Sequence, residues 1–186
     1  NWLFNNEEIQ KRTFEIKNAY ENQCTERNIS PAIEVNANFI LLHTLAHTLL
    51  YQISFESGYN AASLKEKIYA RFDESSRMNG LLLYTGSSDA DGTLGGLARQ
   101  ATSDLFFNVF SSAINKARWC SQDPLCYQGI SSTSESMNLA ACHCCNLLPE
   151  TSCQFFNRFL DRCFLVGSPE NSKFGFFSKF FENKND

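Results

Sequence analysis

The chain has 186 residues, 43% of them hydrophobic, and a formal net charge of −4. That is enough apolar material for one domain with its own core, and the acidic balance excludes a broadly basic nucleic-acid face. No apolar run reaches the ~20 residues of a membrane-spanning helix, and the polar opening NWLFNNEE has no apolar signal segment, so a cytoplasmic chain with no membrane partner is expected.

Residues 5–28 read as a polar helix with a weak apolar stripe (Ile9, Phe14, Ile16, Tyr20), giving an N-terminal helical extension over 1–29. Ser30-Pro31 breaks it. The strongest helix is 36–57, where Phe39, Leu42, Leu45, Ala46, Leu49, Leu50 and Ile53 recur at helical spacing before Gly58 stops the pattern. Leu64–Phe72 stays open: Lys-Glu-Lys favours helix, whereas Ile68, Tyr69 and Phe72 suit a strand. Gly80–Thr85 (GLLLYT) reads as a strand, and GSSDADGTLGG at 86–96 as a loop. A second long helix is expected over 97–119, with Leu105, Phe106, Val109, Phe110, Ala113, Ile114 and Ala117 on one side. A short helix follows over 155–164, and 168–186 is a polar tail with a Phe-rich island, FGFFSKFF. The fold class is α+β, a helix-rich domain with a small sheet and a four-cysteine zinc loop.

The zinc loop comes from the cysteines. Of eight in the chain, Cys120 and Cys126 (WCSQDPLC), Cys142 and Cys145 (AACHCC) and Cys153 (LPETSC) share one window, with Cys144 inside the CxxC. Zinc takes four thiolate or imidazole ligands, and CxxC supplies two from one tight turn. Disulfides are the competing reading, but disulfide-dense scaffolds are small domains without a core, and this chain can build one. Four protein ligands leave no open coordination position, which points away from catalysis.

Other motifs carry less. His43 and His47 in HTLAH have chelating spacing, but Thr44 stands where a metalloprotease places its general base. Two packed, hydrogen-bonded imidazoles that bind no metal are expected. The SSDADG loop lacks a phosphate-binding lysine, and its Asp89 and Asp91 would repel a phosphate, so turn geometry and helix capping explain it. GxSxG is absent. His143 is an alternative zinc ligand. Arg158 and Arg162, four apart on the short helix around Asp161, read as structural ion pairs with a weak capacity for nucleic-acid contact. Lys173, Lys179 and Lys184 could add to it from the tail.

Taken in order, LLHTLAHTLL, LKEKIYA, GLLLYTGSSDADGTLGGL, WCSQDPLC and AACHCCNLLPETSCQFFNRFLDR resemble the zinc-binding domain of the MrfA helicase family, and more closely its form at the C-terminus of a DISARM anti-phage component. The resemblance runs over about 30–167. It implies a helicase-associated module that binds one structural zinc (Zn2+) and supports DNA handling or partner docking in anti-phage defence or DNA repair. The implied partners are a helicase or helicase-like protein and, through the larger assembly, DNA. The implied ligands are Cys142, Cys145 and Cys153, with a fourth from Cys120 or Cys126 and Cys126 preferred. Cys144 departs from the usual small residue and is read as a bystander. No catalytic residue is expected; the alternative is a metal-dependent nuclease or phosphodiesterase using HTLAH or SSDADG.

Overall fold

Asn6 opens the first long helix. The computed structural model describes residues 2–73, 76–86, 96–129 and 137–182. A single turn, α1 (Trp2–Asn5), precedes α2 (Glu7–Glu26), where the Asn6 side chain accepts from Ile9 N at 3.3 Å and Glu7 and Glu8 lie at the positive end of the helix dipole. Its buried residues are Ile9, Ile16, Tyr20 and Cys24; Phe14, expected in the stripe, is exposed.

The centre of the fold is α3 (Ala37–Ser57), capped by Asn36, which accepts from Phe39 N at 2.9 Å, and ended by Gly58 in the left-handed conformation. Its residues are apolar on nearly every side, and such a helix belongs in the interior. It packs against a two-stranded antiparallel hairpin, β1 (Leu64–Asp73) and β2 (Ser76–Thr85), in register from Leu64↔Thr85 to Asp73↔Ser76. The ambiguous segment 64–72 is thus a strand, and the strand read at 80–85 is the second half of a longer one. Alternation decides the matter: Leu64, Glu66 and Ile68 are buried, whereas Lys67 and Tyr69 face out.

The helix expected over 97–119 is two pieces, α4 (Gly96–Gln100) and α5 (Ser103–Ala117). Thr102 adopts an extended conformation and restarts the helix by accepting from Phe106 N. Because α5 ends at Ala117, Trp119 and Cys120 lie outside it. The helix expected over 155–164 is also replaced. Leu139 N donates to Leu160 O, Arg162 N to Ala140 O and Leu160 N to Asn138 Oδ1, so this stretch runs beside 138–140. Phe156, Asn157 and Phe159 all have positive φ. Only α6 (Cys163–Val166) is helical there. The tail folds back: Phe176 N and Phe177 N donate to Phe164 O and Leu165 O, Phe174 is buried, and Phe177 and Phe180, the latter in α7 (Ser178–Glu182), meet Phe110 of α5 edge to face. Among the described residues no helix is long and apolar enough to cross a membrane.

Two apolar clusters share α3. One joins Ile9 and Ile16 of α2 to Ile40, Phe159, Phe164, Leu165 and Phe174. The other joins Leu49, Leu50 and Ile53 to Leu64, Val109 and Ala113. Asp161, fully buried, ties α2 to this frame. It accepts from Arg12 Nε at 2.6 Å, Arg12 Nη2 at 3.0 Å and Cys163 N at 3.0 Å, and its own N–H donates to Thr44 Oγ1 at 3.0 Å.

Gly167 closes α6 at φ 74°, ψ −170°, a region essentially reserved for glycine. A Cβ there would lie 2.6 Å from Ser172 Cα and O. Gly167→Ala is expected to cost at least about 1–3 kcal/mol from backbone strain, read as a lowered urea midpoint. An unchanged midpoint would refute the assignment.

Candidate metal centres

The end of α5 and the CxxC turn bring four sulfurs together. Cys120 and Cys142 lie 3.5 Å apart, Cys126 and Cys145 3.7 Å, and Cys142 and Cys145 3.7 Å. A tetrahedron of thiolates about 2.3 Å from zinc has an edge of roughly 3.8 Å, so the donors fit that ion. Local bonding fixes each loop. Cys145, Asn146 and Leu147 all donate backbone N–H groups to Cys142 O, at 3.1, 3.0 and 3.2 Å. Cys120 N donates to Asp123 Oδ2 at 2.9 Å, Asp123 Oδ1 accepts from Arg162, and Arg162 Nη1 donates to Ala117 O at 2.9 Å. Backbone amides also reach the sulfurs: Gln122 N to Cys120 and Cys142 N to Cys145, both at 3.4 Å.

Four thiolates cannot crowd together uncompensated. The Cys126 thiol is pulled down to about 5; the hydrogen bond from Cys145 does most, burial opposes it, and the positive Arg162 helps. Burial first, with the neighbouring thiols, pushes Cys142 up to about 12. Cys145 is raised far beyond the usual thiol range, chiefly because its proton is held by Cys126. A bound cation takes the place of those protons.

Both cysteines of WCSQDPLC, Cys120 and Cys126, stand in this group of four sulfurs. Cys153 does not join them. It is buried in the same sequence window, but its sulfur lies 3.2 Å from His43 Nε2. The physical reason is the left-handed loop after it: Phe155 N and Asn157 N, both at 3.3 Å, turn back onto Cys153 Sγ and hold it against α3. Cys144 and His143 are exposed and lie outside both groups.

The second group comprises His43, His47, Glu66 and Cys153, with one donor atom from each within 4.8 Å of the others and all four residues buried. His43 and His47 follow one another by a turn of α3, with ring centroids 4.6 Å apart. Glu66 comes from the inner face of β1; its Oε1 lies 3.0 Å from His43 Nε2 and 3.4 Å from His47 Nε2. His47 Nδ1 donates to Asn146 O at 2.8 Å. Burial lowers the pKa of His43. Glu66 is held down at about 2: burial opposes ionisation, but the contacts with the two imidazoles outweigh it. Burial, then the charge of Glu66, pushes Cys153 up to about 12. The imidazoles are buried as the sequence suggests, but a carboxylate and a thiol face them. Glu66 was legible: it sits between Leu64 and Ile68 on the face of β1 that turns inward.

Arg162 needs correction as a nucleic-acid contact. It is 1% exposed and engaged by Asp123 and Ala117, so it cannot reach a phosphate backbone. Arg158 is half-buried, with Nε donating to Phe155 O and its guanidinium 5.2 Å from the Phe159 ring. Lys173 and Lys179 are exposed. The loop of 87–95, with Asp89 and Asp91, and Lys184 lie outside the described residues.

The chain is similar to the DISARM protein DrmB of Bacillus paralicheniformis, 36% identical over 176 residues, which are 95% of this chain and 31% of that protein. It thus spans about a third of the length of the curated relative it matches. Residues 45–146 match the MrfA Zn-binding domain, a stretch that holds all four thiols of the first group and stops short of His43 and Cys153. Zinc is accordingly the cofactor that the first group's chemistry fits. With more than half of its residues inside that match, the chain belongs to the family of MrfA Zn-binding domains.

Proposed function

We propose that this chain is a non-catalytic, structural zinc domain of a DISARM-type anti-phage protein, in which Cys120, Cys126, Cys142 and Cys145 hold the ion. The observation that supports this is the closed donor set: four sulfurs at tetrahedral spacing fill zinc's coordination and leave no place for a substrate or an activated water. The ion's chemistry there is cross-linking. It pins the end of α5 to the CxxC turn, and Asn146 carries that turn onto α3. Such a platform suits docking of a helicase or helicase-like partner, with DNA engaged by the assembly rather than by this chain. A hydrolytic role through HTLAH has little support, since both imidazoles are fully buried.

The test is a set of activity and binding assays on the purified chain. The expected result is no ATP or phosphodiester turnover, and weak duplex binding that disappears between roughly 50 and 200 mM salt. A chain of net charge −4 that offers Arg158, Lys173 and Lys179 to a duplex can neutralise few phosphates. Nucleotide hydrolysis, or tight binding that survives the higher salt, would overturn the reading.

A further inference from the structure

We propose that His43, His47, Glu66 and Cys153 form a second metal site in this chain, structural in kind and suited to zinc. The four side chains come from three separate parts of the fold: α3, the inner face of β1 and the left-handed loop at 153–159. Each is buried, and one ligating atom of each lies within 4.8 Å of the other three.

Hydrogen-bond accounting shows why something positive belongs there. Asn146 O can only accept, so His47 Nδ1 carries the ring proton and donates it at 2.8 Å. In neutral His47 this leaves a lone pair on Nε2. That lone pair faces Glu66 Oε1, a second acceptor, 3.4 Å away. His43 Nδ1, His47 Nε2 and both carboxylate oxygens of Glu66 make no well-formed hydrogen bond, although all four atoms are buried; the nearest nitrogen to Glu66 Oε1 is His43 Nε2, at 3.0 Å. Buried acceptors that face one another without a donor are costly, and a shared cation removes the conflict. The Asn146 bond also fixes the tautomer and ring direction, as carbonyl partners do for metal-binding imidazoles.

Charge and donor type agree. A divalent ion with one thiolate, one carboxylate and two neutral imidazoles is neutral, the arrangement that full burial tolerates best. The two amides on Cys153 Sγ stabilise a thiolate there. Sulfur, nitrogen and carboxylate oxygen are the ligand types zinc accepts, whereas a calcium or magnesium site would be built from oxygens. Four protein ligands again leave no open position, so the ion braces α3, β1 and the 153–159 loop rather than activating water. On binding, the Cys153 proton passes to solvent.

Metal content by mass spectrometry, on protein purified without chelator, tests this. The expected result is two zinc ions per chain, falling to one in Cys153→Ser and in Glu66→Gln. Anomalous scattering from wild-type crystals is expected to give two separate peaks, which keeps the test independent of how the variants fold. One ion per chain in the wild type, with a single peak at the four-cysteine cluster, would overturn the second site and leave the first intact. One ion with its peak at His43, His47, Glu66 and Cys153 would support this site and sink the first.

Discussion

Cys145→Ser is expected to empty the four-cysteine cluster and unfold the domain. The hydroxyl that replaces the sulfur is a poor zinc ligand, and the remaining three thiols would then face one another around an unfilled centre. Structural zinc contributes on the order of 10 kcal/mol of folding free energy in small zinc peptides. A whole domain is stable by only about 5–15 kcal/mol. Loss of the ion therefore removes a large share of the total. Strong chelators should act on the wild type in the same direction. The pH dependence follows from the thiols. Zinc binds only after their protons leave, and Cys142 and Cys145 hold theirs above the ordinary thiol range. Affinity must fall as pH falls, with protons displacing zinc; Cys126, held down at about 5, adds little to this competition near neutrality. Thermal melting by circular dichroism with parallel zinc analysis checks both points. A Cys145→Ser protein that melts with the wild type and keeps its full zinc complement would sink the ligand assignment.

The second large effect is expected at Arg12. Asp161 is fully buried, and Arg12 is its charge partner, at 2.6 Å through Nε. Burial works against the Arg12 charge, but the pairing with Asp161 outweighs it and raises the guanidinium's pKa further. Arg12→Met keeps much of the stem's packing and removes the charge, leaving the carboxylate to two backbone amides and no cation. Breaking a buried pair in this way costs about 3–5 kcal/mol. The Asp161→Asn, Arg12→Met double variant should recover part of that loss, because the orphaned charge goes with the aspartate. Urea titrations of the two variants measure the difference. Equal stability of Arg12→Met and wild type would mean that α2 is not tied to the core through this pair.

Local signals carried α3 and the presence of a thiol cluster into view. Helical spacing runs unbroken from Phe39 to Ile53, with Asn36 and Gly58 at its ends, and CxxC is a compact motif. What stayed hidden was set by contacts distant in sequence. Cys153 stands 8 residues beyond Cys145, which invites a single window, yet the left-handed turns at Phe156, Asn157 and Phe159 direct it to α3 instead. The 155–164 segment has helix-forming residues but pairs with 138–140, and that pairing also buries Arg162. Apolar periodicity runs straight across Ala101 and Thr102, where the backbone nevertheless breaks. Glu66 was the one clue within reach: a carboxylate between two inward residues of an alternating strand demands a buried partner.

Asn146 joins the two groups. It directly follows Cys145, its carbonyl fixes the His47 ring, and its amide donates to Thr48 Oγ1 at 2.8 Å. The thiol turn and the histidine pair are therefore separated by a single peptide unit. Order imposed on one is conveyed to the other. Any coupling that this link carries is reciprocal: if order at the thiol turn favours order at the imidazoles, the converse holds with the same free energy.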